Sequence, residues 1–123
     1  MRGISFLIFT LPFLFISCKS NQVLLKFSNK SSEEFREVFV NVQGQEFNFK
    51  NLKSGENTPR VKVKGSHPYC FARVVTGKDT LYFMPIDYVG EKLYTTGKLT
   101  MQFLIIQTEG RRTLEIDSKR PIF

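Results

Sequence analysis

His67 and Cys70 stand three residues apart, and a thiol beside an imidazole is the arrangement of a nucleophile with its base. Such a pair must lie within hydrogen-bond reach and needs a third group to orient the base. His67 falls in the turn Gly65-Ser66-His67-Pro68, Cys70 opens the apolar run Tyr69-Cys70-Phe71-Ala72, and no orienting group is close in sequence. The better account is a turn histidine and a cysteine buried as a small hydrophobe. With one histidine and two cysteines in the chain, tetrahedral zinc lacks ligands. Glu33, Glu34 and Glu37 lack the aspartate spacing of a calcium loop and read as a solvated charge run. No catalytic residue, metal or cofactor is expected. Asp87, Tyr88, Glu91 and Tyr94 lie in the longest connection, Ile86 to Gly97. Long connections at the end of a sandwich often carry binding. These four are candidate loop contacts, with tyrosines that either stack on a sugar or peptide or cap the core.

Arg60, Lys62 and Lys64 alternate with Val61 and Val63. In a strand this places three basic side chains on one face, about 7 Å apart. They are a candidate face for an anionic partner: lipid headgroups, surface polysaccharide or an acidic protein. The competing reading is a solvated strand whose lysines protect a sheet edge from unwanted pairing.

Cys18 has a different setting. Arg2 is followed by a predominantly apolar run from Ile4 to Ile16, then by the small Ser17 and the cysteine. A charged head, a short apolar middle and a small residue at a cut site make a secretory signal. At about 1.5 Å per helical residue the run reaches about 20 Å, short of roughly 30 Å of hydrocarbon. The ending Phe15-Ile16-Ser17-Cys18 resembles the lipobox of bacterial lipoproteins. Ser17 and the cysteine match that pattern, whereas Phe15 stands where leucine is usual and Leu14 sits one position early. The resemblance implies that Cys18 is joined to diacylglycerol, that the preceding peptide is removed and that the new amino group is acylated. An uncleaved anchor and a plain secretory signal are the alternatives. Two acyl chains hold a protein on a membrane stably, where one holds it marginally.

The chain has 123 residues and carries 18 Lys plus Arg against 11 Asp plus Glu. Removal of Arg2 with the signal leaves a net charge of +6. Export separates the domain from cytoplasmic nucleic acid, so the positive charge is not read as an RNA or DNA surface. Lipidation of Cys18 would leave Cys70 without an intramolecular partner. The expected division is residues 1–17 as signal, 18–22 as lipidated cysteine and tether, 23–118 as one domain and 119–123 as tail.

The periodicity of that domain is mostly two. Strands are expected at Val23–Ser28, at Phe35–Gln43 after one helical turn suggested by Ser31-x-x-Glu34, and at Glu46–Phe49 beyond the Gly44-Gln45 turn. Further strands are expected at Arg60–Lys64, Tyr69–Thr76, Thr80–Met84, Leu99–Gln107 and Thr113–Asp117. Positions Phe35, Val38, Phe39 and Val42 also fit a helix, but β-branched content favours a strand. About eight short strands with turn signals roughly every eight to twelve residues predict an all-β, antiparallel two-sheet sandwich. Leu93-Tyr94-Thr95-Thr96-Gly97-Lys98-Leu99-Thr100 resembles the turn, glycine and strand of immunoglobulin-like and transthyretin-like sandwiches, with Leu99 where a tyrosine often stands.

The expectation is a non-catalytic, lipid-anchored module of the bacterial envelope, similar in outline to small envelope lipoproteins. Lys19, in place of the aspartate that marks inner-membrane retention in some sorting systems, favours the outer membrane. The alternative is an inhibitor or accessory subunit acting through its end loops. A basic target such as lysozyme is disfavoured by charge repulsion.

Overall fold

The computed structural model describes residues 22–85 and 92–119. Eight strands form two four-stranded sheets. They are β1 Val23–Asn29, β2 Phe35–Val42, β3 Gln45–Leu52, β4 Val61–Val63, β5 Phe71–Val75, β6 Thr80–Phe83, β7 Gly97–Thr108 and β8 Arg111–Lys119. One sheet has the order β4-β1-β7-β8 and the other β3-β2-β5-β6. The architecture is the expected sandwich, with one departure from antiparallel pairing. β1 runs parallel to β7, with Leu24 opposite Lys98 and Phe27 opposite Met101.

Alternation builds the core. Val23, Leu25 and Phe27 of β1 and Leu99, Met101 and Phe103 of β7 face Val38, Val40 and Val42 of β2 and Ala72 and Val74 of β5, all buried. The strands richest in apolar residues occupy interior positions of their sheets, where both neighbours shield them. Phe27 is the hinge of the aromatic packing, its ring 5.6 Å from Phe103 and 5.8 Å from Phe49. Between Glu37–Lys50 and Phe35–Leu52 the phase slips, because Asn51 takes a left-handed φ of 55°. Phe35 and Leu52 thereby both turn inward.

Hairpin turns follow from residue type. Gln43-Gly44 and Glu109-Gly110 have positive φ at both residues, the mirror-image turn that suits strand twist. The helical turn expected from Ser31-x-x-Glu34 is absent. Asn29 captures that segment: its Oδ1 accepts from the Ser31 amide at 2.9 Å and the Ser31 hydroxyl at 2.7 Å. Ser31 Oγ in turn accepts from the Glu33 amide at 3.1 Å. The serine therefore closes a side-chain turn in place of capping a helix.

This connectivity gives the sandwich two unlike ends. β1 and β7 start, and β4 and β8 finish, at the chain-entrance end, together with the turn at Gly44. The loops at 30–34, 53–57, 76–79 and 109–110 gather at the opposite end.

Candidate functional site

The three basic residues singled out from the sequence lie on or beside β4, an edge strand of its sheet. Val61 and Val63 face inward, while Arg60, Lys62 and Lys64 are exposed. The Arg60 guanidinium donates to the Leu24 carbonyl at 3.0 Å, and the Lys64 amide donates to Gln45 Oε1 at 3.1 Å. Lys62 thus sits on a free sheet edge, where a charge also discourages pairing with another chain.

Register adds two cations that sequence reading did not assign to this face. Leu24 has Lys62 opposite it on one side and Lys98 on the other, so a row across three strands reads Lys62, Leu24, Lys98. All three point outward, since Val23, Leu25, Val63 and Leu99 are buried. Neighbouring strands are about 4.8 Å apart, so the two lysines stand about 10 Å from each other at the backbone. Two residues along β1, Lys26 shares this face opposite Thr100. The alternation in Val23-Leu24-Leu25-Lys26-Phe27 marks Lys26 as outward. Lys98 joins only through the parallel pairing, for which no turn provides a local signal.

The connection before β7 is anchored by its backbone. Tyr94 and Ser66 exchange two hydrogen bonds, at 2.8 and 2.9 Å. The Lys92 ammonium lies 5.6 Å from the Tyr94 ring centroid, and the Lys92 carbonyl is 3.1 Å from His67 Nδ1. Tyr94 is half-buried and packs against the core, so its ring serves chiefly as a cap. Asp87, Tyr88, Glu91 and Cys18 lie outside the described residues.

Cys70 is 1% exposed, with its Sγ 3.7 Å from Met101 Sδ. Burial pushes its thiol up to about 12, so it is held as the inert protonated form. Among the described residues no three His, Cys, Asp or Glu side chains converge to hold a metal ion.

At the opposite end Arg112 spans two carboxylates. Its Nη1 and Nη2 reach Glu33 at 2.7 and 3.0 Å, and its Nε and Nη2 reach Asp79 at 2.9 and 3.1 Å. These bonds hold both carboxyls below their usual range and push the guanidinium up. Thr76 supplies a hydroxyl to Asp79 at 2.8 Å, and its Oγ1 accepts from the Lys78 amide at 3.0 Å. Beside Arg112 is a cavity of about 230 Å³ lined by Lys30, Ser31, Glu33, Leu104, Ile105 and Gln107, among others. The fork of the arginine is already committed to the two carboxylates, which makes this cluster a clamp between β8, the β1–β2 loop and the β5–β6 turn. Its members are 33 to 79 residues apart, and nothing local in the sequence marks them as partners.

The outer face of the β3-β2-β5-β6 sheet carries a second surface. Phe39 and Phe71 meet edge to face at 6.2 Å, Tyr82 follows at 6.4 Å from Phe71, and Arg73 lies 4.8 Å over Phe39. Tyr82 is 54% exposed and Met84 69%. Glu37 ties the row together, accepting from Asn48 at 3.0 Å and pairing with Arg73 at 3.8 Å.

No protein-family model matches the chain, and no curated protein matches it significantly.

Proposed function

We propose that this chain is a lipid-anchored, non-catalytic binding module of a bacterial envelope, held on its membrane through Cys18. The observation that carries the reading is the order of residues in the leader: Arg2, the short apolar run to Ile16, Ser17, then the cysteine. The domain is consistent with that use. The described core is assembled from residues between Val23 and Leu114. Cys70, buried and protonated, does not compete with Cys18 for thiol chemistry. What the domain offers a partner is surface: the basic face around Lys62 and the ring row of the opposite sheet. The preferred location is the outer membrane, on the grounds that Lys19 follows the cysteine.

The test is incorporation of radiolabelled palmitate into the native chain and into Cys18→Ala, expressed in a bacterium. Label on the native protein and none on the variant is the expected result. An unlabelled native chain, or a labelled variant, overturns the reading.

A further inference from the structure

We infer that the domain lies on its own membrane, with its chain-entrance end and the β4-β1-β7 face turned toward the phosphates of anionic phospholipids. This rests on the lipid anchor proposed above and names the partner of the basic face.

Position comes first. Val23 is five residues beyond Cys18, so the first strand begins within about 18 Å of the acylated residue even for a fully extended tether. The end of the sandwich where β1 begins is therefore held close to the bilayer surface. A surface potential decays over a Debye length of about 8 Å at physiological salt, so only groups near that end feel it.

Charge comes second. Lys62, Lys64, Lys92 and Lys98 gather at or beside this end, with Arg60 and Lys26 one row further up the same face. Glu46, at the start of β3, is the acidic residue the described structure places there; Asp117 and Glu115 lie further along β8, opposite Gln102 and Leu104. Among the described residues the ion pairs join Glu33, Glu37, Arg73, Lys78, Asp79 and Arg112, and none uses these lysines. The loops of the opposite end are mixed in charge: Glu33, Glu34, Glu56, Asp79 and Glu109 stand with Lys30, Lys53 and Lys78, and Arg111 and Arg112 open β8 beside them. Among the described residues the positive excess therefore lies at the end nearest the anchor. Each basic residue close to an anionic surface contributes roughly fivefold in affinity, and a lipid chain supplemented by a basic patch is a two-signal attachment.

Apolar surface comes third. Leu93, 47% exposed, follows Lys92 and lies beside Gly65 at this end, and Met84, 69% exposed, follows the end of β6 on the other sheet. Side chains of this kind enter the headgroup layer when charge brings them to it.

The experiment uses the acylated protein, purified from membranes and reconstituted into vesicles that carry headgroup-spin-labelled lipid. A fluorophore is attached to a cysteine introduced either at Thr96→Cys, exposed at the entrance end, or at Glu109→Cys, exposed at the opposite end. In vesicles of phosphatidylcholine with phosphatidylglycerol the label at position 96 should be quenched and the label at 109 should not. Removing phosphatidylglycerol, raising the salt, or combining Lys62→Gln with Lys98→Gln should abolish the difference. Equal quenching of both labels in anionic vesicles overturns the orientation, and a difference that survives in pure phosphatidylcholine overturns its electrostatic cause. Flotation of the protein with vesicles of either composition separates these failures from failure of the anchor, because a chain that floats with neither is not lipid-held.

Discussion

Asn29 should be the polar residue on which the domain depends most heavily. It is fully buried, and its side-chain amide makes four hydrogen bonds. Nδ2 donates to the Glu33 carbonyl at 2.7 Å and the Leu52 carbonyl at 2.9 Å, while Oδ1 accepts from the amide and hydroxyl of Ser31. Its backbone is bonded independently, to Glu56 O at 2.9 Å and from Gly55 N at 2.7 Å. Asn29→Ala therefore removes the amide while leaving those main-chain bonds in place. Three of the lost contacts are partly buried, where water replaces the partner and each net loss is about 0.5–1 kcal/mol. The fourth strands the Leu52 carbonyl in the core, which costs about 1–3 kcal/mol. The sum is about 4 kcal/mol, equivalent to a fall of about 16 °C or more in Tm for a domain near 100 residues. Urea titration measures it. Asn29→Asp, which retains the Ser31 contacts but turns a carboxylate toward two carbonyls, should lose at least as much. A loss below about 1 kcal/mol for the alanine variant, or an aspartate variant as stable as the parent, refutes the reasoning.

Two further outcomes follow from the titratable groups. Glu33 and Asp79 have folded pKa values below their ordinary ones, chiefly through hydrogen bonds from Arg112. A depressed carboxylate contributes stability that is complete above the unfolded value, about 4, and disappears as pH falls through the folded one. Urea midpoints should therefore drop as pH is lowered below about 4, and Arg112→Met should flatten that dependence; parallel profiles for the two proteins would reject the clamp. Cys70 gives the opposite kind of signal. In Cys18→Ala, a thiol reagent at neutral pH should modify Cys70 only after denaturant is added, and labelling of the native protein at the rate of an exposed cysteine would show that the Met101 contact does not hold.

The strands were legible because each obeys a local rule. Val61-Lys62-Val63 and Thr113-Leu114-Glu115-Ile116 alternate without a break, and glycine marks the turns at Gly44 and Gly110, where positive φ is required. Segment 35–42 fitted two periods. Cross-strand neighbours on both sides of β2 resolve it as a strand, information no single stretch contains. Ser31 misled for a related reason: its capping-box spacing is real, but Asn29 two residues earlier competes for the same amide. The basic site was half visible. Lys62 and its neighbours lie on one alternating stretch, whereas Lys98 reaches them through a parallel pair whose strands begin 74 residues apart, at Val23 and Gly97. Parallel pairing leaves no hairpin turn behind it, so neither Lys98 nor the Arg112 clamp had a sequence signature.

The two ends of the sandwich use charge in opposite ways. At the far end the fold must close four loops over the strand ends, and it does so with groups that satisfy one another: Asn29 against the 30–34 loop and the end of β3, Arg112 against two carboxylates. Removing a member there leaves a partner stranded, so those positions answer to stability. At the entrance end the core is capped by Tyr94 and closed by the backbone exchange with Ser66, while the lysines extend outward and pair with no carboxylate among the described residues. Their mutual repulsion offsets part of the folding free energy, and solvent and salt screen the remainder. The fold pairs its charges where closure demands it and, among the described residues, gives Lys26, Arg60, Lys62, Lys64, Lys92 and Lys98 no carboxylate partner, so a counter-charge from outside would relieve their repulsion. Under the proposed anchoring at Cys18, an anionic membrane surface would supply that counter-charge.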